Sequence, residues 1–386
     1  MARLGGIQNR LQNGTRHRGL INLENKLQKE LGEILKKEEL MWFQRSRAKW
    51  LMDGDRNTRY YHLKTVSRRR RNNIVMLKDD HGDWIEDSGK LQELVNNYYK
   101  QLFALPDQQT TWQQTNITFP ELSNEEITSI GAEATYDEIR SAVFEMSPWK
   151  APGPDGFQAG FYQHSWDVVG ASVCDFVQKV WRMPSTIAMV NQTDICLIPK
   201  VDHPEVVTQF RPISLCNTIY KIVSKVIVAR LKSYIPKLVS PFQTGFVPGR
   251  NIHENIIVAK EMVHSMHMAR GRKGYFAIKV DLSKAYDKLS WEFVWRVLTE
   301  AKFPDNIINI IMHSITSVET NVKWHGARAE YFRPHRGIRQ GDPISPYLFV
   351  LCMDKLSHLI CHAVDEGEWK TLKAGRNGPL VSHLMF

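Results

Sequence analysis

Leu23, Leu27, Leu31 and Leu35 recur at every fourth position, with Ile34 beside them and lysine and glutamate on the other faces. That period predicts one long helix over 20–52. It runs on through the mixed aromatic and basic segment MWFQRSRAKWLMDGD, where Gly54 is placed to end it. RNTRYYHLKTVSRRRRNN then reads as a second, basic helix. IVMLKDDHGDWIED (74–87) has the form of a β-hairpin around Asp80-His81-Gly82. Ser88 is placed to cap a helix through about Leu105, and the polar stretch 106–118, PDQQTTWQQTNIT, is the linker candidate. Ser123 with Glu126 and Thr135 with Glu138 spell two capping boxes, each starting a short helix.

Beyond residue 145 strands, Gly/Pro loops and amphipathic helices alternate. DICLIPK (194–200) predicts a buried strand. NTIYKIVSKVIVARLKSYI (217–235) predicts a helix with Ile219, Ile222, Val223, Val226, Ile227 and Leu231 on its apolar face. NIHENIIVAKEMVHSMHMARG (251–271) predicts another helix, and GYFAIKVD a buried strand ending at Asp281. SWEFVWRVLTEA (290–301) is a helix capped by Ser290, and ETNVKWHGARAEYFRP (319–334) a hairpin turning at His325-Gly326. SPYLFVLCMDKLSHLICHAV (345–364) is a helix with Ser345 as its cap and Pro346 in first position. LVSHLMF reads as the start of a strand. No internal repeat is present.

Charge sharpens this map. The 386 residues carry a net charge of +10. Residues 1–80 hold 19 Lys and Arg against 9 Asp and Glu, whereas the remainder holds 32 of each. The basic character therefore belongs to the N-terminal fifth. It suits a polyanion such as nucleic acid, or simply a solvated face. Trp42, Phe43, Trp50, Tyr60 and Tyr61 either stack on bases or form the helices' own packing face. Five scattered cysteines without a CxxC pair argue for free thiols in a reducing compartment. The apolar run YLFVLCM is too short to span a bilayer, which takes about 20 residues. The N-terminus lacks the apolar core of a secretory signal. An intracellular protein, nuclear or cytoplasmic, not secreted and without a membrane partner, is expected.

Four segments carry chemistry. WKAPGPDGF (149–157) is a stiff loop with room for positive φ at Gly153 and Gly156, or only a tight turn. LIPKVDHPEVVTQFRPISL (197–215) holds Lys200 and Arg211 on what read as facing strands. Such a pair grips a triphosphate, lysine as a point charge and arginine as a fork, although each alone is an ordinary surface residue. KVDLSKAYDKLSW places Asp281 before Tyr286 and Asp287. RGIRQGDPISP (336–346) is a glycine-rich loop feeding a helix, suited to close backbone approach by a ligand. His253, His264 and His267 have no partner at metal-ligand spacing.

Taken in order, WKAPGPDG, LIPK, FRPISL with YKIVSKVIVARL, QTGFVPGRNIHENI, KVDLSKAYDKLSW and RGIRQGDPISPYLF make the chain resemble the reverse transcriptase of a non-LTR, LINE-type retrotransposon of the plant-like branch. The resemblance covers about residues 40–386, and WFQRSRAKWLMDGDRNTRYYH with RRRRN is similar to the family's connector before the polymerase. It implies an α+β fold of right-hand polymerase fingers and a partial palm, an antiparallel sheet with packed helices, without a thumb and with a basic helical N-terminal extension. The domains expected are a basic helical connector region over 1–73, a hairpin, helix and polar linker over 74–120, and fingers and palm over 121–386.

Residue by residue, the resemblance implies that Asp281 is the first catalytic metal-binding aspartate and that Leu282 offers a backbone carbonyl to a second metal. Tyr286 matches the ring that excludes a ribonucleotide 2′-OH, and Asp287 a second acid of structural role. Lys200 and Arg211 match triphosphate-binding residues, and Gln340 and Gly341 the loop lining incoming nucleotide and template. Gln243 and Arg250 match residues shaping the template path, and Arg68, Arg69, Arg70 and Arg71 are the further nucleic-acid candidates. The implied partners are an RNA template, a DNA primer and dNTPs. The implied cofactor is Mg²⁺, two ions bridged by carboxylates.

The family's next motif is an aromatic, one variable residue and two aspartates, and Phe386 stands where that aromatic belongs. The expectation is a polymerase site that this chain does not finish, with no primer extension and an unpaired palm strand. A non-catalytic nucleic-acid-binding remnant and a domesticated RNA-binding protein are the alternatives.

Overall fold

The computed structural model describes every residue except 1, 15–16, 47–57, 106–111, 269–273, 325 and 376–377. Two units are distinct, Met1–Ile74 and Val75–Phe386.

In the first unit a short helix that the sequence pattern does not single out, α1 (Ala2–Gln12), precedes α2 (Arg18–Ser46) and α3 (Thr58–Asn72). The predicted end of the long helix, at 47–54, lies outside the described residues. The leucine stripe does form a helix, yet Leu23, Ile34 and Leu35 remain exposed. What joins α2 to α3 is aromatic. Trp42 stacks on His62 with ring centroids 3.5 Å apart, and Phe43 meets Tyr61 edge-on at 5.8 Å. These rings pack against one another and do not form an open stacking platform for bases.

The second unit opens with a hairpin of β1 (Leu77–Lys78) and β2 (Trp84–Ile85), then α4 (Ser88–Leu102). The cap of α4 is Asp87 and not Ser88, since its carboxylate accepts from the Lys90 N–H. Of the predicted linker, 106–111 lies outside the described residues. Trp112 packs on the core beside Phe293, and Thr115 accepts from the Lys355 ammonium. This stretch is therefore part of the same unit. Both capping boxes form, at the starts of α5 (Asn124–Gly131) and α6 (Tyr136–Phe144).

There follow α7 (Ala159–His164), α8 (Trp166–Arg182), β3 (Gln192–Pro199), β4 (Phe210–Cys216), α9 (Thr218–Leu231), α10 (Ile235–Leu238) and α11 (Ile252–Met268). The rest comprises α12 (Ala285–Lys288), α13 (Trp291–Glu300), α14 (Asp305–Thr316), β5 (Glu319–Trp324), β6 (Ala327–Arg328), α15 (Ser345–Asp365), β7 (Leu372–Lys373) and β8 (Leu380–Val381). Ser345 is the first residue of α15 and Ile344 its cap, one position from expectation. By length and composition α15 is apolar enough to cross a bilayer, but here Leu348, Val350 and Leu351 are core residues.

One core holds the helices together. Val177 and Val180 of α8, Ile222 and Val223 of α9, Val294 and Val297 of α13, Ile307, Ile310 and Ile311 of α14, and Val350 and Leu351 of α15 are all fully buried in it. Each such side chain contributes roughly 1.5–3 kcal/mol. These positions recur at helical spacing, which is why the pattern predicted the helices well.

The main sheet departs from the antiparallel expectation. Its order is β4-β3-β5-β6, antiparallel at β3/β4 and β5/β6 but parallel at β3/β5. A parallel pair needs a long crossover, and α9 through α14 supply it. A second departure concerns the opening of the polymerase-like motif. Residues 274–282 form no regular secondary structure and join no sheet, and Phe276, Ile278 and Val280 are 83%, 66% and 72% exposed. Alternation alone does not make a strand, because the backbone also needs a ladder partner. Among the described residues none is in place, so Asp281 does not end a buried strand. Gly156 has the positive φ expected of the 149–157 loop. Gly153 does not: a Cβ there would collide with the Asn217 backbone nitrogen, so its constraint is space.

Candidate nucleotide site

β3 and β4 bring the first pair of candidates together. In their antiparallel register Ile198 faces Arg211, and the Lys200 N–H donates to the Gln209 carbonyl just beyond the ladder. Both basic side chains border a cavity of about 500 Å³. Leu282, Lys284, Ala285 and Tyr286 line it from the turn into α12. Gln340, Gly341, Pro346 and Phe349 line it from the loop and start of α15, and Pro212 and Phe246 complete the lining. No carboxylate is among these residues. Lys200, Arg211 and Lys284 thus set three cations around one opening. The Lys200 ammonium donates to the Thr208 carbonyl at 3.0 Å, and that of Lys284 approaches the Phe210 carbonyl at 3.5 Å. Burial, then the neighbouring Lys200, lower the basicity of Lys284.

The walls are tied together by ring stacking and backbone hydrogen bonds. Tyr286 stacks on Phe349 with centroids 4.6 Å apart, and burial pushes its phenol up to about 12. Its carbonyl accepts the Ile338 N–H at 2.8 Å. The Gln340 carbonyl accepts the Ser214 N–H, also at 2.8 Å. Gly341 has φ +122°, and a Cβ on it would sit 2.8 Å from the Ser214 carbonyl, so only glycine lets this loop lie on β4. Beneath the loop, Asp342 accepts from Tyr220 Oη at 2.5 Å, Ser224 Oγ at 2.6 Å and Arg339 Nη2 at 3.1 Å. All four side chains are at least largely buried, and Arg339 lies 4.0 Å from the Tyr220 ring centroid. This network anchors the RQGDP turn. The sequence reading missed it, because an i,i+3 Arg–Asp pair looks like surface charge until Tyr220 is folded over it.

Asp287 is buried behind the cavity. Gln340 Nε2 donates to its Oδ1 at 3.2 Å, while its Oδ2 has no hydrogen-bond partner among the described residues. Burial pushes its carboxyl up to about 6, against the pull of Lys284, Gln340 and Lys200.

Two lining residues that the sequence reading also missed, Phe246 and Lys284, have φ of +59° and +56°. Left-handed backbone at a bulky residue is costly and gathers at functional sites. The only sequence signal was their position inside motifs already singled out.

The remaining candidates fall elsewhere. Asp281 adjoins Leu282 but is exposed and has no hydrogen-bond or ion-pair partner among the described residues. Arg250 does not offer its guanidinium to a template: it donates to the backbone carbonyls of Pro236, Val239, Ser240 and Gln243. Gln243 is buried, with its amide on the Gly245 carbonyl. Both hold the loop that presents Phe246. Arg68 donates to the Arg45 carbonyl, and Arg69, Arg70 and Arg71 are exposed on α3. His253, His264 and His267 are exposed on α11.

This geometry coincides with a sequence match. Residues 198–372 match the reverse transcriptase (RNA-dependent DNA polymerase) family, and the chain carries a domain of that family. The relatives narrow the class. The uncharacterized 149 kDa protein of transposon TX1 from Xenopus laevis is 26% identical over 81% of this chain and 24% of its own length. The Pol polyprotein of the type-2 retrotransposable element R2DM from Drosophila melanogaster is 27% identical over 58% of this chain and 20% of its own. The RNA-directed DNA polymerase of the mobile element jockey, also from Drosophila melanogaster, is 24% identical over 60% and 25%. The matched segment is thus similar to the reverse transcriptases of retrotransposable elements, and the chain spans a fifth to a quarter of the length of these relatives.

Proposed function

We propose that this chain supplies the incoming-nucleotide side of an RNA-templated DNA polymerase site, with dNTPs as ligands and an RNA template and DNA primer as partners. The observation that carries this reading is the convergence of Lys200, Arg211, Lys284, Tyr286 and Gln340 on one cavity with no acidic residue among the described residues that line it. Its volume lies in the range of small-molecule sites. The three cations bind the triphosphate, with Arg211 as the planar fork and the lysines as point charges. The stacked Tyr286 ring forms the floor under the sugar and leaves no room for a 2′-OH. Gly341 lets the loop backbone come close to the base, and Gln340 addresses the sugar.

Magnesium chemistry belongs to this reaction class, and Asp281 with the Leu282 carbonyl offers it hard oxygen ligands. The described residues do not complete such a centre. No group of three or more His, Cys, Asp or Glu among them is placed to hold a metal. A two-ion site needs more than one carboxylate. The role proposed for these residues is therefore to bind and orient the nucleotide.

Calorimetric titration of the chain with dTTP tests the reading. Micromolar to millimolar binding is expected, weakened about tenfold by Lys200→Ala or Arg211→Ala, as for loss of one charge-assisted hydrogen bond. Undiminished affinity in the double variant would refute it.

A further inference from the structure

Lys284 has a backbone conformation that does not call for a lysine. Its φ is +56°, where glycine or asparagine sits at lower cost. Its carbonyl holds the turn by accepting the N–H groups of Asp287 and Lys288, both at 3.0 Å. A glycine would supply the same carbonyl. The side chain is therefore the reason for a lysine here, and that side chain lines the cavity. Its approach to the Phe210 carbonyl, at 3.5 Å, is long for a hydrogen bond. Lys200 repels the ammonium, and Asp287, buried behind the cavity, attracts it. A flexible four-carbon stem does not hold a charge at one point by itself. A neighbouring element supplies the hold. Lys284 Nζ lies 5.7 Å from the centroid of the Tyr98 ring, within reach of a cation–π contact. Tyr98 is on α4 and is not among the described residues that line the cavity. α4 is tied down at both ends. Ser88 Oγ accepts the Trp324 indole N–H at 3.2 Å, and the Leu102 and Phe103 carbonyls accept Arg336 Nε and the His335 N–H, both at 2.9 Å. Between these ends Val95 and Tyr99 are fully buried, and the Tyr99 ring meets that of Tyr98 edge-on at 5.2 Å.

We propose that Tyr98 is a positioning residue whose ring holds the Lys284 ammonium at the cavity and thereby favours a ligand carrying a polyphosphate over its monophosphate. The inference rests on the nucleotide reading of the cavity. It extends the site to α4, a helix that lies outside the matched segment 198–372. An ammonium already held in place loses less freedom when a polyanion arrives, so the ring adds affinity without touching the ligand. The contact uses the face of the ring and not the hydroxyl. Phenylalanine therefore replaces tyrosine, and leucine does not.

The test is calorimetric titration of the full chain with dTTP and with dTMP. The wild type is expected to bind dTTP more tightly than dTMP. Tyr98→Leu lowers that ratio about fivefold, the worth of a partly desolvated cation–π contact, and leaves dTMP affinity nearly unchanged. Tyr98→Phe keeps the wild-type ratio. In a Lys284→Met background the ratio is already lowered, and adding Tyr98→Leu lowers it no further. Should Tyr98→Leu fail to fold, Tyr98→Gln, equally without a ring and suited to a partly exposed position, serves in its place. A purely structural role would weaken both ligands together and preserve the ratio, which overturns the inference. So does a Tyr98→Phe chain that behaves like Tyr98→Leu, or a Tyr98→Leu effect that persists in Lys284→Met. A wild type that binds dTTP and dTMP equally also overturns it and leaves the nucleotide reading standing. A wild type that binds neither overturns both.

Discussion

Keeping Asp287 ionised is expensive, and its pH dependence has a definite sign. Its carboxyl rises from 3.8 to about 6 on burial. The groups around it are Lys284 on its own turn, Lys200 on β3, Gln340 on the loop, and Tyr98 and Tyr99 on α4, whose phenols are raised by burial and then by its charge. A raised carboxyl means that the folded state favours the proton. Its contribution to stability is full below about pH 4 and lost as pH rises through about 6. Two pK units correspond to roughly 3 kcal/mol. Asp287→Asn is therefore expected to raise the urea midpoint at pH 8 by the equivalent of about 2 kcal/mol and to change it little at pH 4. Equal shifts at both pH values would contradict this. The sequence showed Asp287 as the second acid after an aromatic but not as buried. Gln340, which closes over it, is 53 residues away, and no local spacing encodes that meeting.

Among the elements, the loop between α10 and α11 depends on one side chain. Arg250 donates to four carbonyls there, so Arg250→Met leaves all four without that donor. A loss of about 3 kcal/mol is expected in denaturant unfolding, on the scale of lost charged hydrogen bonds. An unchanged midpoint would show that the loop does not need it. α3 makes a different prediction. Arg69 and Arg70 are exposed, so Arg69→Ala with Arg70→Ala is expected to reduce the salt slope of RNA binding by about 2. A parent chain whose RNA binding ignores salt would end that reading. Helices were legible because their apolar residues face one core at a fixed period, as Ile222, Val223 and Val226 do. The 274–281 segment was misread because Phe276, Ile278 and Val280 alternate whether or not a neighbouring strand is there to receive their backbone. The basic aromatic helices were half legible. Their existence followed from composition, but the mutual stacking of Trp42 and His62 is a tertiary choice.

For the molecule as a whole, the cavity was readable from motifs because each motif is a short segment whose residue types carry its chemistry. Lys200, Arg211, Tyr286, Gln340 and Gly341 surround one opening although 141 positions separate the first from the last. Sheet order was not readable, since nothing local in β3 announces that β5 will lie parallel to it. That pairing joins residues 127 apart, as in the Thr320 hydroxyl donating to the Thr193 carbonyl. Synthesis proceeds from the N-terminus at about 5–20 residues per second. A ribosome therefore completes β3 and β4 and then works on the order of ten seconds before β5 exists. Through that interval the strand destined for the centre of the sheet has one bare edge, a template for any other extended chain nearby. Ribosome-stalled chains ending before Glu319 should accordingly leave β3 open to protease, and chains long enough to free β6 from the ribosome should close it.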